Sequence, residues 1–301
     1  MNVQVVKIEE TAPSVTHPSA LKLLWNEIKS DKVALCALFI FLTITAVVFI
    51  WSLASDSEAI SRVYVLRVHQ PPGGEFLLGT DNAGRDVLPL LIVGARNSLI
   101  IAFVVAIVSS AIGVFVGLFS GFYGGQTDNI VMRIIDFFTM IPTLMTIIVI
   151  IILLPFHTPV SFAAIMVLFG WIGTARVIRM VTLRQGALDY IHASKTLGTS
   201  NIVIIFRELF PNIISFTIVA LTLNLAASMG IETGLTFLGF GLPHGTPSLG
   251  ALLWHATIPF NLQNRLWLWL PAALLILVMM LCINYVGQAL NRAADAKRRR
   301  V

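Results

Sequence analysis

Long apolar runs separated by short polar segments dominate the chain. Six of them, at 33–54, 98–122, 137–154, 160–177, 213–229 and 266–290, approach or reach the roughly 17 to 25 residues that a helix needs to cross a hydrocarbon core. The third and fifth lie near the lower limit. The pattern predicts an all-α polytopic membrane protein with six transmembrane helices. It divides the chain into an N-terminal arm (1–32), an anchor helix (33–54), a polar segment (55–97), a helical core (98–290) and a basic tail (291–301).

Composition agrees, because 57% of the 301 residues are hydrophobic and only 12% are charged. The mean hydropathy is +0.88, and no soluble domain of this size could hide so much apolar surface. Six spans leave both termini on one side. With that side cytoplasmic, the inner segments hold 15 of the 20 lysines and arginines, leaving Arg62, Arg67, Arg85, Arg96 and Arg265 outside. The positive-inside rule therefore places both termini in the cytoplasm and 55–97 on the outer side. The net charge of +5 and the Lys297-Arg298-Arg299-Arg300 cluster fit an inner membrane face. No nucleic-acid-binding signature accompanies them, so nucleic acid is not an expected partner. A polar arm of about 32 residues before an apolar run of about 22 reads as an anchor, since the apolar part of a signal peptide is about 7 to 15 residues.

The segments between spans carry the remaining detail. Residues 1–20 read as a loose arm and 21–32 as a short interfacial helix. In the outer segment, Pro71-Pro-Gly-Gly74 precedes Thr80 and Asp81, either of which is placed to cap a short helix on the outer face. Ser109, Gly113, Gly117 and Gly121 form a small-residue stripe that lets another helix approach closely. Packing within the chain is the simpler reading of it, a dimer interface the other. Gly124-Gly125 then makes a tight inner turn containing Asp128 and Arg133.

Residues 230–265 are broken by glycines and prolines and read as an outer gate or re-entrant loop, because irregular backbone near membrane depth must be buried in protein or line a wet cavity. Glu232, Gly239, Gly241 and Pro243 are its candidate gate or path residues. Glu232 has two open readings, a functional intramembrane carboxyl or a side chain reaching outer headgroups. Trp51, Trp267 and Trp269 sit where outer interfacial aromatics belong.

Catalytic patterns are missing. The sequence has no Gly-x-x-x-x-Gly-Lys phosphate loop, no His-Glu-x-x-His and no Gly-x-Ser-x-Gly, so no ATP site of P-loop type, metalloprotease or hydrolase is expected. His17, His69, His157, His192, His244 and His255 show no metal-ligand spacing. Cys36 and Cys282 lie in apolar runs and read as small hydrophobes. The chain is read as having no cofactor, metal or catalytic residue of its own.

The most informative polar stretch is Tyr190-Ile-His-Ala-Ser-Lys-Thr-Leu-Gly198, followed by Ile205-Phe-Arg-Glu-Leu-Phe-Pro211. Arg176, Arg179 and Arg184 lead into it. Residues 187–197 predict one helix, Gly198 a break, and Thr199 or Ser200 the cap of a second helix that runs to Phe210 and is closed by Pro211. Ile202, Ile205, Phe206 and Leu209 form its apolar face, with Arg207 and Glu208 off it. Such a helix fits a partner's groove or a lipid surface, and the residues alone leave both open.

At this stretch the chain resembles a family. Ala193, Gly198, Phe206 and Pro211 are similar to the coupling motif of permease subunits of ABC importers, written Glu-Ala-Ala, three residues, Gly, nine residues, Ile, one residue, Leu-Pro. Here His192-Ala193-Ser194 replaces Glu-Ala-Ala, and Phe206 and Phe210 replace aliphatic residues. Leu78-Gly-Thr-Asp81, Gly84-Arg-Asp86-Val, Gly94-Ala-Arg96-Asn-Ser98-Leu, Thr236-Phe-Leu-Gly239-Phe-Gly241-Leu-Pro and Thr246-Pro-Ser-Leu-Gly250 follow in order. They resemble the C-type subunit of dipeptide, oligopeptide and nickel permeases over about residues 78–293.

The resemblance implies a five-helix type I ABC importer permease core preceded by one N-terminal helix, in a prokaryotic plasma (inner) membrane. It implies a coupling loop at about 185–211, with Tyr190, His192, Ala193, Ser194, Leu197, Gly198, Ile205, Phe206, Arg207 and Pro211 as the ATPase-coupling residues. The implied partners are a homologous permease subunit, two cytoplasmic ATPases that carry ATP and Mg, and an extracytoplasmic substrate-binding protein. The implied cargo is an oligopeptide or dipeptide. Nickel or a metal chelate is the nearest alternative, and a self-contained ion channel is the reading from another class.

Overall fold

The computed structural model describes residues 25, 28–54, 62–154, 158–243 and 245–298. Among them it consists of helices and turns, with two isolated bridges and no strand. The helices are α1 Lys32–Ala54, α2 Val87–Tyr123, α3 Gly125–Met140, α4 Thr143–Leu153, α5 Pro159–Gly186, α6 Asp189–Thr196, α7 Asn201–Phe237, α8 Leu249–Leu253, α9 Pro259–Asn264 and α10 Leu270–Arg298. Five of these, α1, α2, α5, α7 and α10, are long and apolar enough to cross a membrane, or six spans if α3 and α4 count as one. The arm at 1–20, His17, His157, His244 and most of the basic cluster lie outside the described residues or side chains.

Six expectations change. The run at 137–154 is not one helix, because α3 and α4 meet at a 79° bend. Pro142 offers no amide donor and holds Ile141 extended (φ −85°, ψ 127°), which ends the helix there. With 11 residues, α4 is about 16 Å long and too short to span alone. The turn expected to contain Asp128 and Arg133 is instead α3, which starts directly after the left-handed Gly124 (φ 61°) and includes the similarly left-handed Gly125 (φ 53°).

The second span begins at Val87, not residue 98, capped by the Asp86 carboxylate accepting from Leu88 N at 3.0 Å. Thr80 and Asp81 cap no helix. Asp81 accepts from Ala83 N (2.9 Å) and Arg85 N (2.8 Å) and so folds a turn, while the Thr80 hydroxyl accepts from Gln70 N at 2.8 Å.

Pro211 does not close a helix. The chain continues from Asn201 to Phe237 through a π-helical stretch, Ile204–Leu209. Phe210 N donates to Ile205 O, five residues back. That wider turn leaves room for a proline whose ring would clash with the carbonyl four residues before it in a regular helix. The irregular segment accordingly starts after Phe237 rather than at 230, so Glu232 is helical.

The small-residue stripe of α2 packs within the chain. A Cβ at Gly113 would lie 2.6 Å from the Thr174 Cβ, one at Gly117 2.6 Å from Ala175 O, and one at Gly121 2.8 Å from the Thr182 Cβ. Helix α5 thus lies directly on the backbone of α2. In a membrane this close approach drives packing, since lipid is as apolar as the core. Helix α7 packs on α2 and α10, and α1 packs on α10.

Ion pairs fix the periphery. Arg179 pairs with Asp128, and Arg176 with Asp136 at 2.7 Å, so α3 is held to α5 twice. Asp31 caps α1 through Val33 N (3.0 Å) and pairs with Arg292 of α10.

Candidate functional site

One end of the bundle carries α6 and the start of α7. Ile191 of α6 and Ile204, Ile205, Leu209 and Ile213 of α7 are all fully buried, packed with Leu118 of α2 and Ile178 of α5. They form a solid apolar plug under the loop. Gly198 makes the turn between the helices at φ 80°, a left-handed conformation that suits glycine. Ser200 stands at the N-cap position of α7 without a side-chain capping bond.

The expected apolar face of the second helix splits. Ile205 and Leu209 point inward, whereas Ile202 and Phe206 are 61% and 52% exposed. The π stretch is the reason: widening the turn aligns Ile204 with Leu209, five residues apart, and rotates Phe206 outward. Leu197, Ile202, Val203 and Phe206 remain as exposed large hydrophobics at this end. His192, Ala193, Arg207 and Pro211 are also exposed, and Tyr190 is at the margin of exposure.

Polar contacts brace the loop. The Ser194 hydroxyl donates to a Glu208 carboxylate oxygen at 2.8 Å. Asn212 Nδ2 donates to Glu208 O (2.9 Å) and to the Tyr190 hydroxyl (3.3 Å). Burial pushes the Tyr190 phenol above its ordinary pKa. Lys195 lies over the Phe122 ring at 4.8 Å. Helix α6 is therefore tied both to α7 and to the end of α2.

The opposite end gathers the other motifs. Gly94 of α2 faces the Ser248 backbone, where a Cβ would come within 3.0 Å. Asn97 Nδ2 donates to Pro247 O (2.9 Å), and Leu249 N donates to the Ser98 hydroxyl (3.2 Å). Arg96 holds Asn97 through Nη2 (3.0 Å) and reaches Ser52 of α1 at 2.7 Å. Helix α8 is thereby tucked among α2, α7 and α10, with Ser248 and Leu249 fully buried.

Glu232 is also fully buried, bonded by Thr233 and Thr236 (both 3.2 Å) and faced by Ser98. Its carboxyl is enclosed by the chain and does not reach the surface. Gly241 folds back on Thr236 and Gly239 makes a left-handed turn (φ 87°). Pro243 follows at intermediate exposure, so Gly239, Gly241 and Pro243 lie just after the α7 terminus and Glu232 lies within its last two turns.

Residues 113–300 match the family model described as the binding-protein-dependent transport system inner membrane component. The chain belongs to that family. It is 40% identical over 285 residues to the oligopeptide transport system permease protein OppC of Lactococcus lactis subsp. lactis, covering 93% of this chain and 97% of the relative. It is 33% identical to the dipeptide transport system permease protein DppC of Bacillus subtilis, over 96% and 90% of the two chains. Among solved structures, a chain of the inward-facing MetNI methionine ABC transporter matches at 20% identity and a TM-score of 0.49, over 69% of this chain and 97% of that one.

As an inner-membrane transport component, the chain is a multi-pass membrane protein. The family match spans both the α6 loop and the α8 segment. Three residues at these ends escaped sequence reasoning. Glu208 reads as one charge off an apolar face, yet it braces Ser194. Arg96 and Asn97 stand in the Gly94–Leu99 motif, but that motif does not announce their contacts, with chain 150 residues away for Asn97 and 44 for Arg96.

Proposed function

We propose that this chain is the permease subunit of an ABC importer for oligopeptides or dipeptides in a prokaryotic inner membrane. Its termini and α6 face the cytoplasm. It pairs with a homologous permease, docks two ATPases that bind ATP and Mg, and receives cargo from an extracytoplasmic binding protein. Relatives named for oligopeptide and dipeptide transport support the cargo.

The observation that carries the reading is the contrast across residues 191–213: a fully buried isoleucine and leucine plug beneath an exposed apolar patch of Leu197, Ile202, Val203 and Phe206. The plug makes the patch stiff, and a stiff apolar patch suits a partner's groove.

Motion then follows the connectivity. Helix α7 runs unbroken for 37 residues, about 55 Å at 1.5 Å per residue, from the patch to Glu232 and Phe237. A displacement of the patch by a closing ATPase pair tilts α7. The tilt carries the Glu232–Ser98–Leu249 contacts, and hence α8, at the far end. Helix α5 moves with it, taking α3 along through Asp128 and Asp136. The bend at Pro142 joins α3 and α4, both of which pack on α5, so it follows that helix.

Co-expression with a homologous permease, two ATPases and a binding protein, followed by peptide uptake into proteoliposomes, tests the reading. ATP-dependent peptide accumulation supports it; ion currents from the purified chain alone contradict it.

A further inference from the structure

The end opposite the docking patch holds a cleft of about 80 Å³ between the 78–86 motif and the α8 segment. Arg85, Leu90, Thr246, Ser248, Ala251 and His255 are among its lining residues. It joins motifs that lie far apart in sequence, and nothing in the coupling mechanism uses it.

Its polar lining is selective in kind. Among the described residues no carboxylate lines it. The acid just behind it, Asp81, is fully buried and accepts from Ala83 N, Arg85 N and Arg85 Nε at 2.8 to 2.9 Å. The Ser248 hydroxyl already accepts from Ala251 N at 3.0 Å. Two nitrogens remain. Arg85 bonds Asp81 through Nε and Nη2, which leaves Nη1 without a hydrogen bond among the described residues. His255 is only 6% exposed, and its Nδ1 is buried without a partner. A buried nitrogen left unpaired is costly, so a partner for it is expected.

Among the described residues the paired Asp81 leaves no free anion lining the cleft to attract a cation, and no three potential metal ligands cluster. A guanidinium edge and an imidazole nitrogen are donors that fit a carboxylate. Size narrows the source. Pockets for small ligands measure roughly 300 to 1,000 Å³, so this cleft admits the head of one side chain rather than a peptide.

We propose that the cleft receives the carboxylate of one aspartate or glutamate side chain on the extracytoplasmic binding protein, with Arg85 Nη1 and His255 Nδ1 donating to it. The proposal rests on the importer reading above. One acidic side chain seated in a small polar pocket would fix the register of docking.

The test titrates the substrate-loaded binding protein against ATPase activity of the complete complex in nanodiscs. His255→Leu removes the donor, and Ala251→Glu supplies a competing carboxylate inside the cleft. Both variants are checked for intact assembly by co-purification. Each should raise the half-stimulating concentration of binding protein about tenfold, the loss expected for one charge-assisted hydrogen bond, with maximal stimulation unchanged. One acid-to-amide change on the binding protein should reproduce the shift and add nothing to His255→Leu.

Unchanged half-stimulation in both variants would overturn the proposal and leave a cleft that holds two or three waters, at roughly 30 Å³ each. A shift in half-saturating peptide alone would overturn it in favour of cargo contact. If the wild-type complex shows no stimulation by any binding protein, the importer reading fails together with it.

Discussion

The Ser194 hydroxyl donates to Glu208 at 2.8 Å, a bond that joins α6 to the π-helical stretch of α7. Two polar side chains 14 residues apart thus meet in one hydrogen bond beside the buried isoleucines that join α6 and α7. The second Glu208 oxygen is buried without a partner, which makes the bond to Ser194 harder to lose.

Ser194→Ala should therefore loosen α6 from α7. The expected cost is about 1 kcal/mol. Ser194→Ala with Glu208→Ile replaces both polar partners by apolar groups and should recover uptake that either single change lowers. A double-mutant cycle on thermal stability of the complex measures the coupling, and additive effects would show that the two residues do not interact.

Close packing of α2 on α5 gives a second expectation. Gly117→Leu forces a side chain where a Cβ would already sit 2.6 Å from Ala175 O, and overpacking of this kind costs about 1 to 3 kcal/mol. Gly173→Ala meets nothing within 4 Å and should be neutral. Melting temperatures in detergent separate the two.

The sequence made much of this visible, for definite reasons. Apolar length reveals spans because lipid demands it, so α1, α5 and α10 lie near their predicted places. The α2 stripe was legible because a four-residue spacing places small side chains on one helix face. Pro142 and Pro211 were not, because the same residue breaks one helix and is absorbed by a π turn in another, and only the neighbouring packing decides which. Glu208 was hidden for a similar reason: its role depends on a contact with Ser194 that spacing does not announce. The α8 end combined both cases, since glycines marked the irregular segment while Asn97, Ser98 and His255 acquire their roles through long-range contact.

His255 and His69 give a pH dependence with a definite sign. Burial lowers both below the ordinary value of 6.5; Arg265 reinforces it at His69, while at His255 nearby Asp81 opposes it and Arg85 and His69 reinforce it. The folded state then binds fewer protons than the unfolded chain between the lowered value and 6.5. Stability is fully present above 6.5 and is lost as pH falls through the folded value. Thermal unfolding between pH 7.5 and 5 should show a downward trend that is shallower in His255→Gln. An identical slope in both would contradict the assignment.

The most direct test is Phe206→Asp in the complete complex. This change places a charge in the exposed patch without touching the buried plug, so the chain should still insert in the membrane. ATPase co-purification and ATP-driven peptide uptake should each fall about tenfold or more, as expected for loss of a central apolar anchor. Undiminished ATPase binding and uptake would contradict the docking role of the α6–α7 loop.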